Sequence, residues 1–205
     1  MWFVLYFGKV ELIIYNLIIN QLTPFISILR GINVGGHNPV KMESLLQLYA
    51  ELGFSDIQHY IQSGNVIFSS ESTDSMFLEK IICEKILAVY GWLVPVRVIT
   101  KEELGNALQN NPFTNDSSKD TSFMHLTFLS SQPDKELVEK ISAGNYLPDE
   151  FIIYRNLIYL YCPNGYGKTK LTNTFFEKKL NLVATTRNIK TVRELLFIAD
   201  KITMI

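Results

Sequence analysis

The sequence predicts an α+β protein built from two units in tandem, each with the element order β-α-β-β-α-β. Three observations carry this. Short apolar runs stop at glycine or turn residues, amphipathic stretches at helical spacing lie between them, and the same order recurs in both halves of the 205-residue chain. With 47% hydrophobic and 19% charged residues, the chain can bury a sizeable core.

In the first unit, residues 25–30 form an apolar run after Pro24 that ends at Gly31 and reads as a buried strand. Asn38 followed by Pro39 predicts a helix start, with Leu45, Leu48, Tyr49 and Leu52 at helical spacing up to Gly53. Two β-prone runs, 56–62 and 65–69, flank Ser63 and Gly64, which predicts a hairpin with a two-residue turn. Thr73 is the expected cap of a second helix whose apolar face runs through Met76, Phe77, Ile81, Ile82, Ile86 and Val89. A strand over 94–99 closes the unit.

A linking helix over 101–109 and a polar stretch to 120 follow. The second unit repeats the order: a strand over 123–129, a helix over 133–141, strands 151–154 and 157–161 around Arg155 and Asn156, a helix over 170–180 and a short strand over 183–186. Thr191 and Glu194 have capping-box spacing and predict the start of a final helix. The order matches the split βαβ, or ferredoxin-like, arrangement. The expected division is an apolar extension at 1–23, a first subdomain at 24–100, a link at 101–120 and a second subdomain at 121–205.

Residues 1–19 hold 15 apolar side chains, but Lys9 and Glu11 interrupt them. Each would cost about 2.5–3.5 kcal/mol near a bilayer centre, and neither a basic start nor a cleavage site is present. A soluble extension is expected, with a signal anchor as the competing reading. The two cysteines, Cys83 and Cys162, have no zinc or disulfide spacing. A cytoplasmic protein without metal or cofactor is the expectation.

Lys+Arg 19 against Asp+Glu 20 leaves a net charge of -1, so no global field draws the chain to nucleic acid or anionic membrane. The charge is nevertheless uneven. Residues 165–193 carry seven Lys or Arg and one acidic residue, a local +6 that leaves the remainder at -7. In a split βαβ sheet the loop after the first strand and the hairpin turn emerge at one end. Here those segments are 30–37 and 62–65. In the second unit the loop at 163–170 and the strand exit at 185–188 share an end. The candidate ligand residues are therefore Arg30, Asn33, Gly35, Gly36, Ser63 and Asn65 from the first pair. The second pair supplies Asn164, Gly165, Gly167, Lys168, Thr169, Lys170, Thr186, Arg187 and Asn188. Glycines let backbone N–H groups approach an anion, and the cations neutralise it.

Residues 165–169 imitate a phosphate-binding P-loop, but Cys162 stands where the first glycine is required. Gly31, Gly35 and Gly36 likewise miss the dinucleotide spacing. Among the histidines, His59 and His125 fall inside strands, and His37 alone lies in a loop where it could act as an acid or base. No catalytic residue can be assigned.

The segments LRGINVGGH (29–37), YIQSGNV (60–66), CPNGYGKTKLTN (162–173) and ATTRN (184–188) resemble the bacterial domain of unknown function family 1697. The resemblance runs from about residue 25 to 199 and implies two ferredoxin-like subdomains; it implies no activity, substrate or cofactor. Ile189 departs from the family pattern, where many relatives have tryptophan.

Three functions are open at this point. The first is a site for a phosphate-bearing small molecule between the halves, with Arg30, Asn33, Lys168, Lys170 and Arg187 on the anion. The second is a single-stranded RNA module stacking bases on Tyr154, Tyr159 and Tyr161. The third is a protein that acts through a partner, with structural loops. Oligomeric state is not legible.

Overall fold

The computed structural model describes residues 22–34 and 38–202. The apolar extension up to residue 21, together with Gly35, Gly36 and His37, lies outside the described residues. The first half comprises β1 (Thr23–Leu29), α1 (Met42–Glu51), β2 (Ser55–His59), β3 (Asn65–Ser70), α2 (Ser75–Tyr90) and β4 (Val96–Thr100). Helix α3 (Lys101–Gln109) links it to β5 (Met124–Leu129), α4 (Lys135–Ser142), β6 (Glu150–Tyr154), β7 (Leu157–Tyr161), α5 (Asn173–Leu180), β8 (Ala184–Asn188) and the final α6 (Ile189–Ile202). The strands form two sheets of order β2-β3-β1-β4 and β6-β7-β5-β8, with every neighbouring pair antiparallel. This is a duplicated ferredoxin-like α+β fold.

Strand alternation sorts the apolar residues into three layers. Phe25, Leu29, Val66 and Phe68 pack against α1 and α2. Their neighbours Ile26, Ile28 and Ile67 point the other way, into a central core shared with α3, α6 and Met124, Leu126, Phe128 and Tyr159 of the second sheet. Leu129, Ile158, Leu160 and Cys162 face α4 and α5 through Ile141, Phe176 and Leu180. The sheet faces turned away from each half's own two helices are therefore buried against the centre. Tyr159, one of the three tyrosines of the RNA reading, is 3% exposed there.

Several local expectations are corrected. Asn38 does not cap α1. It takes a positive φ of 46°, incompatible with the extended N-cap conformation, and its side-chain amide donates to the Gly31 carbonyl instead. The helix starts three residues after Pro39, with no side-chain cap. Asp74, rather than Thr73, caps α2 by accepting from the Met76 and Phe77 amides. Leu78, Ile82 and Ile86 form the inward face of α2, while Met76, Phe77 and Val89 are exposed. Strand β2 ends at His59, so the connection spans 60–64, not two residues. Helix α5 begins at Asn173 behind the cap Thr172. Helix α6 begins at Ile189, directly after β8, which places Thr191 inside it; the Asn188 carbonyl side-chain oxygen accepts from Lys190 N. Strand β8 extends to Asn188, so Arg187 is a strand residue opposite Leu126 and not a loop residue. Among the described residues no helix is long and apolar enough to cross a membrane.

Candidate functional site

The segments at the ends of the two sheets meet across the boundary between the halves. In the first sheet, Leu29 N donates to the Gly64 carbonyl at 2.7 Å, which holds the end of β1 against the 60–64 loop. Asn65 opposes Ile28 in register, so its side chain shares the face that looks toward the second sheet. Arg187 shares the face of Leu126, which looks back. The guanidinium of Arg187 spans the gap: Nε donates to Asn65 Oδ1 at 2.6 Å, and Nη2 donates to the Leu29 and Ser63 carbonyls at 2.8 and 2.9 Å. Nη1 donates to the Thr186 carbonyl at 3.0 Å. Burial lowers its pKa to about 10, which still leaves it charged at neutral pH. A rim of the residue stays accessible, but its donors point at protein oxygens.

The other residues of the first pair are also held by the protein. Arg30 pairs with Glu177 of α5, whose carboxylate also accepts from Ala184 N. Asn33, at φ 55°, works as a latch: its Nδ2 donates to the Val40 and Gln62 carbonyls, and its Oδ1 accepts from Val40 N. Asn65 Nδ2 donates to the Tyr60 carbonyl and to Ser63 Oγ.

In the second pair, Thr186 Oγ1 donates to Asn173 Oδ1 and shares a 2.6 Å hydrogen bond with Thr127 Oγ1. Asn188 Nδ2 donates to the Ser122 carbonyl and lies 3.3 Å from His125 Nε2. Thr169 Oγ1 donates to Asp149 Oδ2 at 2.6 Å and accepts from Leu171 N. The nearby Cys162 thiol is buried, and that burial pushes its pKa up to about 11.

Asn164, Lys168 and Lys170 are different. All three are exposed, and they line one hollow of about 310 Å³ with the 145–149 loop and Leu171. Gly165, at φ 89°, makes the turn that leads into the short 3-10 helix Tyr166–Lys168. A side chain at Gly165 or Gly167 would meet nothing within 4 Å, so neither is packed against other parts of the chain. Neither Lys168 nor Lys170 has a carboxylate partner among the described residues.

Sequence reasoning missed Tyr166, Glu177 and Asp149. Tyr166 stacks on His125 with ring centroids 4.9 Å apart. Its hydroxyl is buried beside Thr186, Asn173 and the guanidiniums of Arg30 and Arg187, yet makes no well-aligned hydrogen bond. Nothing local marks such a residue, because its neighbours come from three other segments. The candidate residues thus divide into a clasp around Arg187 and a separate lysine-lined hollow. Among the described residues no cluster of His, Cys, Asp and Glu is placed to hold a metal ion.

A family model described as "Protein of unknown function (DUF1697)" matches residues 22–159. No curated protein matches the chain. A solved structure of a conserved bacterial protein from Streptococcus pneumoniae superposes with a TM-score of 0.69 at 24% sequence identity, covering 87% of this chain and 99% of the other. At that identity the likeness concerns the fold.

Proposed function

We propose, for a chain that belongs to the DUF1697 family, that it binds a small anionic ligand, a phosphate or carboxylate, in the hollow lined by Asn164, Lys168 and Lys170. The observation that carries this reading is the pair of lysines, both in one hollow and both without a carboxylate partner among the described residues. Two ammonium groups brought to one hollow repel each other, and a bound anion removes that repulsion. Asp149 also lines the hollow, but one of its oxygens is engaged by Thr169. The Arg187 clasp is a poorer candidate, since an anion there would have to displace backbone carbonyls from the guanidinium.

The test is a thermal-shift screen against inorganic phosphate, sugar phosphates, nucleotides and carboxylates. A ligand at a hundred times its dissociation constant stabilises the wild type by about 2.7 kcal/mol. The Lys168→Ala/Lys170→Ala variant loses that shift while keeping its own unliganded stability, because both side chains are exposed. A wild type that no anion shifts, or a double variant shifted equally, overturns the reading.

A further inference from the structure

Four strands stand at sheet edges: β2 and β4 in the first sheet, β6 and β8 in the second. An edge strand presents unpaired backbone groups that invite another strand, and proteins blunt such edges. Strand β2 carries Ser55, Asp56, Gln58 and His59 and is broken by a register shift where Asp56 takes a φ of 51°. In β4 the Val98 amide, which points off the edge, donates to Glu79 Oε1 at 2.9 Å. In β8 the Ala184 amide likewise donates to Glu177 Oε1 at 3.1 Å. Both edges are thus closed by a glutamate from the preceding helix.

Strand β6 has none of these devices. Its sequence, EFIIY, is apolar and β-prone, with no proline, no lysine and no register shift against β7. Leu129 N donates to the Asn156 carbonyl and Cys162 N to the Phe123 carbonyl, so the even-numbered residues of β7 bond to β5. Leu157, Tyr159 and Tyr161 therefore bond to Tyr154, Ile152 and Glu150 of β6. The amides and carbonyls of Phe151 and Ile153 point off the free edge, and nothing among the described residues hydrogen-bonds them. Water satisfies such backbone groups but not the apolar side chains beside them. Ile152 and Tyr154 are 42% and 57% exposed, and with Pro112 and Tyr159 they line an open groove of about 390 Å³.

We propose that β6 pairs with β6 of a second copy of this chain, antiparallel about a two-fold axis at Ile152, joining two four-stranded sheets into one. In this register Phe151 of each copy exchanges both backbone hydrogen bonds with Ile153 of the other, and every residue of the strand is matched. Ile152 lies against Ile152 of the second copy as a non-hydrogen-bonded pair, with Tyr154 as its diagonal neighbour, so the exposed apolar side chains cover one another. Charge selects the antiparallel direction. Asp149 and Glu150 stand at the start of the strand and Arg155 just past its end, and Arg155 has no ion pair among the described residues. Antiparallel pairing sets Arg155 across from Asp149 of the second copy, whereas parallel pairing sets acid beside acid. A second copy is also the occupant that closes the assembly. Two-fold pairing consumes both β6 edges and leaves only edges that are already blunted, so no further chain adds.

The test is analytical ultracentrifugation of the full chain over a concentration series, joined to disulfide trapping. Wild type is expected to dimerise with rising concentration. Ile152→Lys sets two ammonium groups against each other at the axis and is expected to weaken the dimer about tenfold or more, with the far-ultraviolet circular dichroism of wild type because the position is exposed. Under oxidised glutathione, Ile152→Cys is expected to cross-link to its own copy, since the Cα atoms of a non-hydrogen-bonded pair lie about 4.5 Å apart, within disulfide reach. Tyr154→Cys carries the same native Cys83 and Cys162 and is expected not to cross-link, because it lies roughly 13 Å along the strand from its counterpart. A wild type that stays monomeric from micromolar to millimolar concentration overturns the proposal, whether residues 1–21 of the same chain, another protein or water covers the edge. So does a dimer that survives Ile152→Lys, or cross-linking through Tyr154→Cys as readily as through Ile152→Cys.

Discussion

Arg187 Nε and Asn65 Oδ1 meet 2.6 Å apart although 122 residues separate them in the chain. Each side chain projects from its own sheet toward the other. The contact therefore couples the two ferredoxin-like halves at the end where their polar segments emerge.

This contact predicts that Arg187→Ala is strongly destabilising. Removing the guanidinium leaves the Leu29 and Ser63 carbonyls and Asn65 Oδ1 without the donor they now share. Hydrogen bonds to charged groups are worth about 1.5–3 kcal/mol each and are not additive, so a loss of about 3 kcal/mol is expected. Arg187→Lys recovers only part of it, because an ammonium lacks the planar fork. In urea denaturation, the double-mutant cycle with Asn65→Ala should show a coupling of about 1 kcal/mol or more. Additive effects would mean that the contact does not join the halves energetically.

Gly64 sits beneath this clasp at φ 73°, and a Cβ there would lie 2.7 Å from Ile32 Cγ1 and 2.8 Å from Leu29 Cβ. Both neighbours are buried. Strain at positive φ and overpacking of this kind each cost about 1–3 kcal/mol, so Gly64→Ala should lose about 2–4 kcal/mol. A urea midpoint equal to wild type would show that the loop can shift to accommodate the methyl group.

His125 makes stability depend on acid. Burial holds its pKa below the ordinary value, so the folded state takes up a proton less readily than the unfolded chain. As pH falls through the unfolded value of about 6.5, the unfolded state binds the proton first and stability drops; above that pH the effect is absent. The urea midpoint of wild type should fall between about pH 7 and about pH 5, and that of His125→Gln should fall less. Equal falls in both proteins would assign the acid sensitivity to other groups.

Much of this fold is a local matter and was legible in the sequence. The bounds of α3, the turn at Arg155 and Asn156, and the order of all eight strands follow from capping residues, turn residues and apolar spacing within windows of a few residues. So does the collection of the polar segments into two pairs, because antiparallel pairing places particular strand ends together. The inward face of α2 was not legible. Apolar residues lie on several sides of that helix, and only contact with the sheet selects Leu78, Ile82 and Ile86 over Met76, Phe77 and Val89.

The same distinction divides the candidate site. Composition and spacing single out Lys168, Lys170 and Arg187 alike, since all three are cations in polar, loop-rich segments. Their surroundings depend on tertiary structure. The register of β8 on β5 sets the face from which Arg187 projects, and the packing of the halves brings the Leu29 and Ser63 carbonyls within its reach. Lys168 and Lys170 follow a glycine turn and remain at the surface. Sequence by itself determined the elements and where charge accumulates, because both depend on neighbours in the chain. Whether a given cation is consumed by backbone carbonyls or left to meet a ligand was decided only when two sheets closed on each other, because those oxygens come from residues more than a hundred positions away.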